Sequence, residues 1–136
     1  MQDEIMKKKE YLKCYEKAVR QMESAELKMQ EIRLSKILSP VVNDGMPHAH
    51  NNGDLSSYAV LLERAKSEYI KCRYYKIKKY KEVSEKIQEL SREDEKMVLI
   101  HRYINLLKWH DIQEKMNMKE RQVYRLHMRA LKNLKI

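Results

Sequence analysis

Both prolines and both glycines of this chain, Pro40, Gly45, Pro47 and Gly53, fall inside one short stretch. Proline lacks the amide proton a helix interior needs, and glycine gives up the most backbone entropy on ordering. Their confinement leaves a long run on either side with nothing in it that breaks a helix. From Gln2 to Leu38, Tyr11, Tyr15, Ala18, Met22, Ala25, Met29 and Ile32 recur at alternating steps of four and three, with charged residues between them. That is a heptad seam. Pro40 predicts the helix end, because proline disfavours helical backbone in the residue before it. Residues 39–54 read as a loop, and Asp54 as the N-cap of a second helix from Leu55 to about Leu90. There Leu55, Tyr58, Leu62, Ala65, Tyr69 and Cys72 keep the same spacing. The register weakens through Lys76, and Val83, Ile87 and Leu90 resume an apolar stripe. Two helices of similar length joined by one loop predict an antiparallel hairpin. Two separate helices, each pairing with another molecule, stay open as the other reading.

Composition narrows the fold further. The chain has 136 residues, 36% of them charged, and no Phe. Such a chain suits a coiled-coil-like seam plus a small helical cluster better than one large core. No apolar run approaches the roughly twenty residues that span a bilayer. The N-terminus has no apolar segment behind its lysines, so it does not read as a signal peptide. Cys14 and Cys72 lack metal spacing and read as free thiols in a reducing cytoplasm. The net charge of +9 favours a polyanionic partner.

Ser91 and the acids after it read as a helix start, with a helix from about Arg92 to Leu106 burying Met97, Val98, Ile104, and either Ile100 or His101. Lys108 to Leu134 then has the spacing of a helix-turn-helix. Trp109, Ile112 and Met116 share one face of a short helix, and Met118 fills the corner. Val123, Leu126, Ala130 and Leu134 form the inner stripe of a last helix over about residues 120–133. Its outer face carries Glu120, Arg121, Gln122, Tyr124, Arg125, Met128, Arg129 and Lys132. Arg121 and Arg125 lie one turn apart, and arginine to guanine is the commonest specific base contact. Lys119, Arg129 and Lys132 are placed to meet phosphates, with Lys108 at the start of the first helix added to that set.

This stretch resembles region 4 of bacterial sigma factors, which binds an upstream promoter element. The Arg129-Ala130-Leu131 and Leu134 ending is part of the likeness. The whole chain is similar to a family of phage-encoded sigma-like transcriptional regulators with an N-terminal helical hairpin. The residues that carry this are Ser39-Pro40-Val41 and Met46-Pro47 in the loop, then Arg102-Tyr103-Ile104, Leu107, Trp109 and Asp111-Ile112, and Tyr124 through Leu131. The resemblance implies base reading by Glu120, Arg121 and Arg125, with Lys119, Gln122, Tyr124 and Arg129 near the DNA backbone. It implies double-stranded DNA as partner, and RNA polymerase or a second copy joined through the hairpin as further partners. This chain departs from the pattern at three places. Asn117 stands at the corner where many such motifs have Gly. Gln113 stands where a small residue is usual, so the two helices should cross more openly. Leu106 replaces a common glycine, so that corner should be built differently.

Each assignment has a plainer counterpart. Glu120 fits equally as the third residue of a capping box opened by Asn117. Arg121 and Arg125 fit as solvated arginines. Trp109 and Tyr103 read as core packing. His101, His110 and His127 read as packing or phosphate contact, and His48 and His50 with Asp44 form a weak metal candidate. Lys71 to Lys81 packs six cations and three tyrosines. It reads either as a solvated face with tyrosines half-buried against the first helix, or as added nonspecific phosphate contact.

The expected fold is therefore all-α: a coiled-coil-like hairpin over residues 1–90, then a compact three-helix helix-turn-helix domain over 91–136. The expected function is sequence-specific transcriptional regulation in the cytoplasm. Its rivals are a DNA-packaging recognition subunit of small-terminase type and a coiled-coil structural protein. No nucleophile–base pair, paired acids or phosphate-binding glycine loop points to an enzyme, and no cofactor is expected.

Overall fold

A computed structural model of the chain describes residues 2–38 and 52–136. The described residues are all-helical. Helix α1 spans Gln2–Leu38 and α2 spans Asn52–Gln88. Helix α3 spans Glu93–Leu99 and runs into a π-helical segment, Ile100–Ile104. Helices α4 (Trp109–Met116) and α5 (Glu120–Asn133) complete the chain. Pro40, Gly45, Pro47 and the candidate metal set Asp44, His48 and His50 lie outside the described residues, whereas Gly53, expected in the loop, is already in α2. Helix α2 begins before the expected Leu55, so Asp54 sits inside its first turn and is not its N-cap.

The chain divides into two compact units. A loop-side unit comprises Arg20–Tyr74. Its seam is built from Ala25, Met29 and Ala65, all buried, with Met22, Ile32, Leu62, Tyr69 and Cys72 half-buried. The pairing is antiparallel: Lys28 meets Glu68 at 3.7 Å, while Lys36, further along α1, lies over the earlier Tyr58 ring at 4.8 Å.

The other unit, here the core unit, comprises residues 1–19 and 75–136. Leu12, Tyr15, Val83, Ile87 and Leu90 join Val98, Leu99, Tyr103, Ile112, Val123, Leu126, Ala130, Leu131 and Leu134 in one hydrophobic core. This core thus draws in both ends of the hairpin's sequence as well as the C-terminal helices. Tyr15 packs edge-on against Tyr80, with ring centroids 5.7 Å apart. Lys76 and Lys79 are half-buried and continue the seam between Cys72 and Val83 with lysines in place of apolar residues.

The π-helical segment explains a shift of phase. Asn105 N–H donates to the Ile100 carbonyl at 2.8 Å, five residues back, so the turn is wider than an α-turn. A strict α-period puts Met97 and Ile104 inward. The wider turn instead carries the buried stripe from Val98 and Leu99 to Tyr103, and Met97 is 38% exposed. Ile100, His101 and Ile104 are only half-buried. The N-cap of α3 is Arg92, not Ser91, in extended backbone and without a side-chain cap. Asp94 takes over part of that task, its Oδ1 accepting the Glu95 N–H at 2.8 Å.

Candidate nucleic-acid interface

Two left-handed residues set the geometry of the last two helices. Leu106, with φ 57°, closes the π-helical segment. The Leu107 N–H donates back to the His101 carbonyl at 3.0 Å, and Arg102 Nη1 donates to the Leu107 carbonyl at 3.0 Å. The corner is therefore built as a glycine would build it, at a steric cost for leucine's Cβ. Asn117, with φ 52° and ψ 48°, ends α4. Its own N–H donates to Glu114 and that of Met118 to the Gln113 carbonyl at 3.0 Å. Asparagine tolerates this conformation better than most residues, so the turn needs no glycine here.

Helix α5 then starts at Glu120. Gln122 Oε1 accepts the Lys119 N–H at 2.9 Å, satisfying one of the donors that a helix start leaves over. Gln122, not Glu120, is thus the residue that folds back on the start of this helix. The inner face buries Val123, Leu126, Ala130 and Leu134, and also His127 and Leu131. The wider stripe fixes the rotation of α5, so Glu120, Arg121, Gln122, Tyr124, Arg125, Arg129 and Lys132 are exposed. Lys108 and Lys119 are exposed just before α4 and α5. An open cleft of about 700 Å³ lies between α4 and α5, with Gln113 and Trp109 on one side and Glu120, Arg121, Tyr124 and Arg125 on the other. The larger side chain at Gln113 fits this open crossing.

Arg129 is not available as its neighbours are. Its Nε donates to Glu95 Oε1 at 3.0 Å and its Nη2 to Asp94 Oδ2 at 3.1 Å. Asn133 Nδ2 lies 3.0 and 3.2 Å from the two oxygens of the same Glu95, which is 1% exposed. A buried carboxylate needs such partners to offset its lost hydration. The pair therefore clamps α5 to α3. At the far end of α5, Lys8 Nζ donates to the Lys132 carbonyl at 3.3 Å, where a cation suits the helix dipole.

An aromatic cluster holds the start of α4 to the middle of α5. Trp109 meets the His127 ring edge-on at 4.7 Å, and Arg102 lies over Trp109 at 4.6 Å. The Tyr103 hydroxyl and His127 Nε2 are hydrogen-bonded at 2.8 Å. Burial, then the charges of Lys9 and Arg102, push the His127 pKa down to about 4, so the imidazole is neutral near pH 7. Burial raises Tyr103 to about 12. Trp109, Tyr103 and His127 are packing residues here. His110 is exposed and lies 3.1 Å from Glu114, while half-buried His101 has its pKa lowered by burial and then by Lys115.

The Lys71–Lys81 run is mixed. Tyr80 packs against Tyr15, but Tyr74 is 72% exposed. Lys79 turns inward, 3.1 Å from Glu82 and over the Tyr75 ring, and its pKa is raised chiefly by the Glu82 bond. Lys71, Arg73, Lys78 and Lys81 are exposed. Among the described residues no group of three His, Cys, Asp or Glu side chains could hold a metal ion, and no helix is long and apolar enough to cross a membrane.

A family described as a protein of unknown function, DUF1492, matches residues 49–135. The chain belongs to the DUF1492 family. No curated protein and no solved structure matches it. The matched part of this DUF1492 chain takes in α2 through α5, hence both helices of the candidate interface and the buried Glu95 that clamps α5 to α3.

Proposed function

We propose that this protein is a sequence-specific DNA-binding transcriptional regulator of phage or prophage type, resembling sigma region 4, with α5 lying in the major groove. One observation carries the reading. Arg121 and Arg125 are exposed one turn apart on a helix whose other side is buried, and that helix follows a left-handed corner at Asn117. A helix so presented can set two guanidinium groups against adjacent base edges. Glu120 joins them as the third base-reading side chain. Lys108, Lys119, Tyr124 and Lys132 contact the DNA backbone, and Gln122 does so through the amide nitrogen that its capping bond leaves over. Arg129 leaves this set, because Glu95 and Asp94 engage it.

One recognition helix reads only a few base pairs, too little for selectivity in a genome. A second contact is therefore part of the proposal, from RNA polymerase or from further copies of the chain. Exposed apolar residues on the loop-side unit favour a hairpin that works by binding protein.

Selection of bound duplexes from a random pool tests the reading. Arg121→Ala and Arg125→Ala should each relax preference at their own base position, at roughly 1–3 kcal/mol. Lys119→Ala and Lys132→Ala should weaken all duplexes alike and flatten the salt dependence. Unchanged base preference in both arginine variants overturns the reading face.

A further inference from the structure

The loop-side unit leaves apolar side chains on its outside. Leu27 and Leu34 on α1 are 60% and 51% exposed, and Val60, Ile70 and Tyr74 on α2 are exposed as well. Each helix residue turns about 100° from the one before. Leu27 lies two residues from both Ala25 and Met29, which are buried in the seam, so it points away from α2. Val60 and Tyr74 each lie two residues from half-buried seam residues, Leu62 and Cys72, and so point away from α1. The unit therefore has two apolar faces on opposite sides.

The charges on these faces differ in sign. One turn before and after Leu27 stand Glu23 and Glu31, both exposed. Around Ile70 and Tyr74 stand Lys66, Lys71 and Arg73, which outnumber the one exposed carboxylate on that side, Glu63. The heights agree as well. The pairing of Lys28 with Glu68 and of Lys36 with Tyr58 sets Leu27 level with residues 67–69 and Leu34 level with 60–62, within one turn of Ile70 and Val60 respectively. The same register sets Glu23 level with Arg73 and Glu31 level with Arg64. Two α2 faces brought together would oppose their own cations, and two α1 faces their own carboxylates.

We propose that the loop-side unit is a lateral self-association surface, in which the outer face of α1 in one copy packs against the outer face of α2 in the next. Leu27 then meets Ile70 and Leu34 meets Val60, with Glu23 beside Arg73. The two faces differ, so the contact is heterologous. Repeating it produces a closed ring or an open chain, never a symmetric pair. This sharpens the self-association named above and does not depend on DNA binding.

Sedimentation velocity of the full chain over a concentration series tests it. The unmodified chain should grow into species larger than a dimer. A chain with Leu27→Arg and Leu34→Arg, and a second with Ile70→Glu and Tyr74→Glu, should each sediment as monomers while keeping their helical circular dichroism. Mixed, these two chains retain one intact junction and should form a pair and nothing larger. Glu23→Lys and Arg73→Glu should each reduce association, and together restore it. A monomeric unmodified chain at every concentration overturns the proposal. So does a variant that still dimerises alone, which would mean that a face pairs with itself. Arg121→Ala and Arg125→Ala should leave the sedimentation unchanged, and the Leu27/Leu34 variant should keep its base preference. Failure of this contact is thereby separable from failure of the DNA reading.

Discussion

In the core unit, Leu12, Ile87, Leu99, Ile112, Leu131 and Leu134 are sealed from solvent. In the loop-side unit the residues that meet across the seam are Ala25, Met29 and Ala65, while Leu27, Leu34 and Ile70 face outward. The two units draw on similar helices and use them in opposite ways. One collects large side chains from all six described helical elements into a single interior. Among its described residues, the other buries only two alanines and Met29 in its seam and leaves Leu27, Leu34 and Ile70 exposed. Apolar burial stabilises in proportion to area. The core unit therefore gains more from its own interior, and the loop-side unit leaves apolar area that the proposed self-association would cover.

The largest expected effect tests that contrast directly. Leu12→Ala removes a fully buried side chain from the core unit and should cost roughly 2–5 kcal/mol in denaturant unfolding. Leu27→Ala removes the same atoms from an exposed site and should shift monomer stability by only about 0.5 kcal/mol. Equal costs for the two would break the distinction. A large cost for Leu27→Ala that appears only at high protein concentration would sharpen it.

Acidification gives the next effect. The folded His127 pKa of about 4 lies below the ordinary value of 6.5, so the unfolded chain binds more protons between those two pH values. Stability held above pH 6.5 is lost as pH falls towards 4, by about 3 kcal/mol in all. His127→Gln should flatten this dependence. The loop-side unit has no histidine among its described residues. Hydrogen-exchange protection, taken relative to the intrinsic rate at each pH, should thus fall in α5 and the π-helical segment and stay level in residues 56–70. An equal fall in both would show that the units unfold as one.

Much of this architecture could be read from spacing, because periodicity reports on what a residue's own helix does. The seam through Ala18, Ala25 and Ala65 follows from its steps of three and four. The left-handed corner at Asn117 and the inner stripe of Val123, Leu126, Ala130 and Leu134 were equally visible. What escaped depends on partners far along the chain. Glu95 looked like one acid among three at a helix start, and only Arg129 and Asn133, more than thirty residues on, make it a buried clamp. Leu12 sits one step off the heptad seam and is buried because the core of this unit closes around that part of α1. The π-helical turn re-phased Leu99 and Tyr103, and no residue between Met97 and Ile104 announces it. Lys76 and Lys79 hid the continuity of the α2 seam, since a lysine stem can occupy an apolar position while its ammonium reaches Glu82.

The smallest expected effect concerns strain that only the core unit can hold. Leu106 adopts φ 57°, a conformation that costs a residue with a Cβ about 1–2 kcal/mol. Leu106→Gly relieves that strain, but it adds unfolded-state entropy of about 0.5–1 kcal/mol and removes a half-buried side chain. The terms nearly cancel, so unfolding should shift by less than about 1 kcal/mol in either direction. Leu106→Val should be worse than either, because a β-branched residue fits the left-handed region poorly. The surrounding structure can impose such a backbone angle, as the bonds from the Leu107 N–H to the His101 carbonyl and from Arg102 to the Leu107 carbonyl do here. If Leu106→Gly instead stabilised by several kcal/mol, the core unit would be bearing unrelieved strain, and its advantage over the loop-side unit would be smaller than its burial suggests.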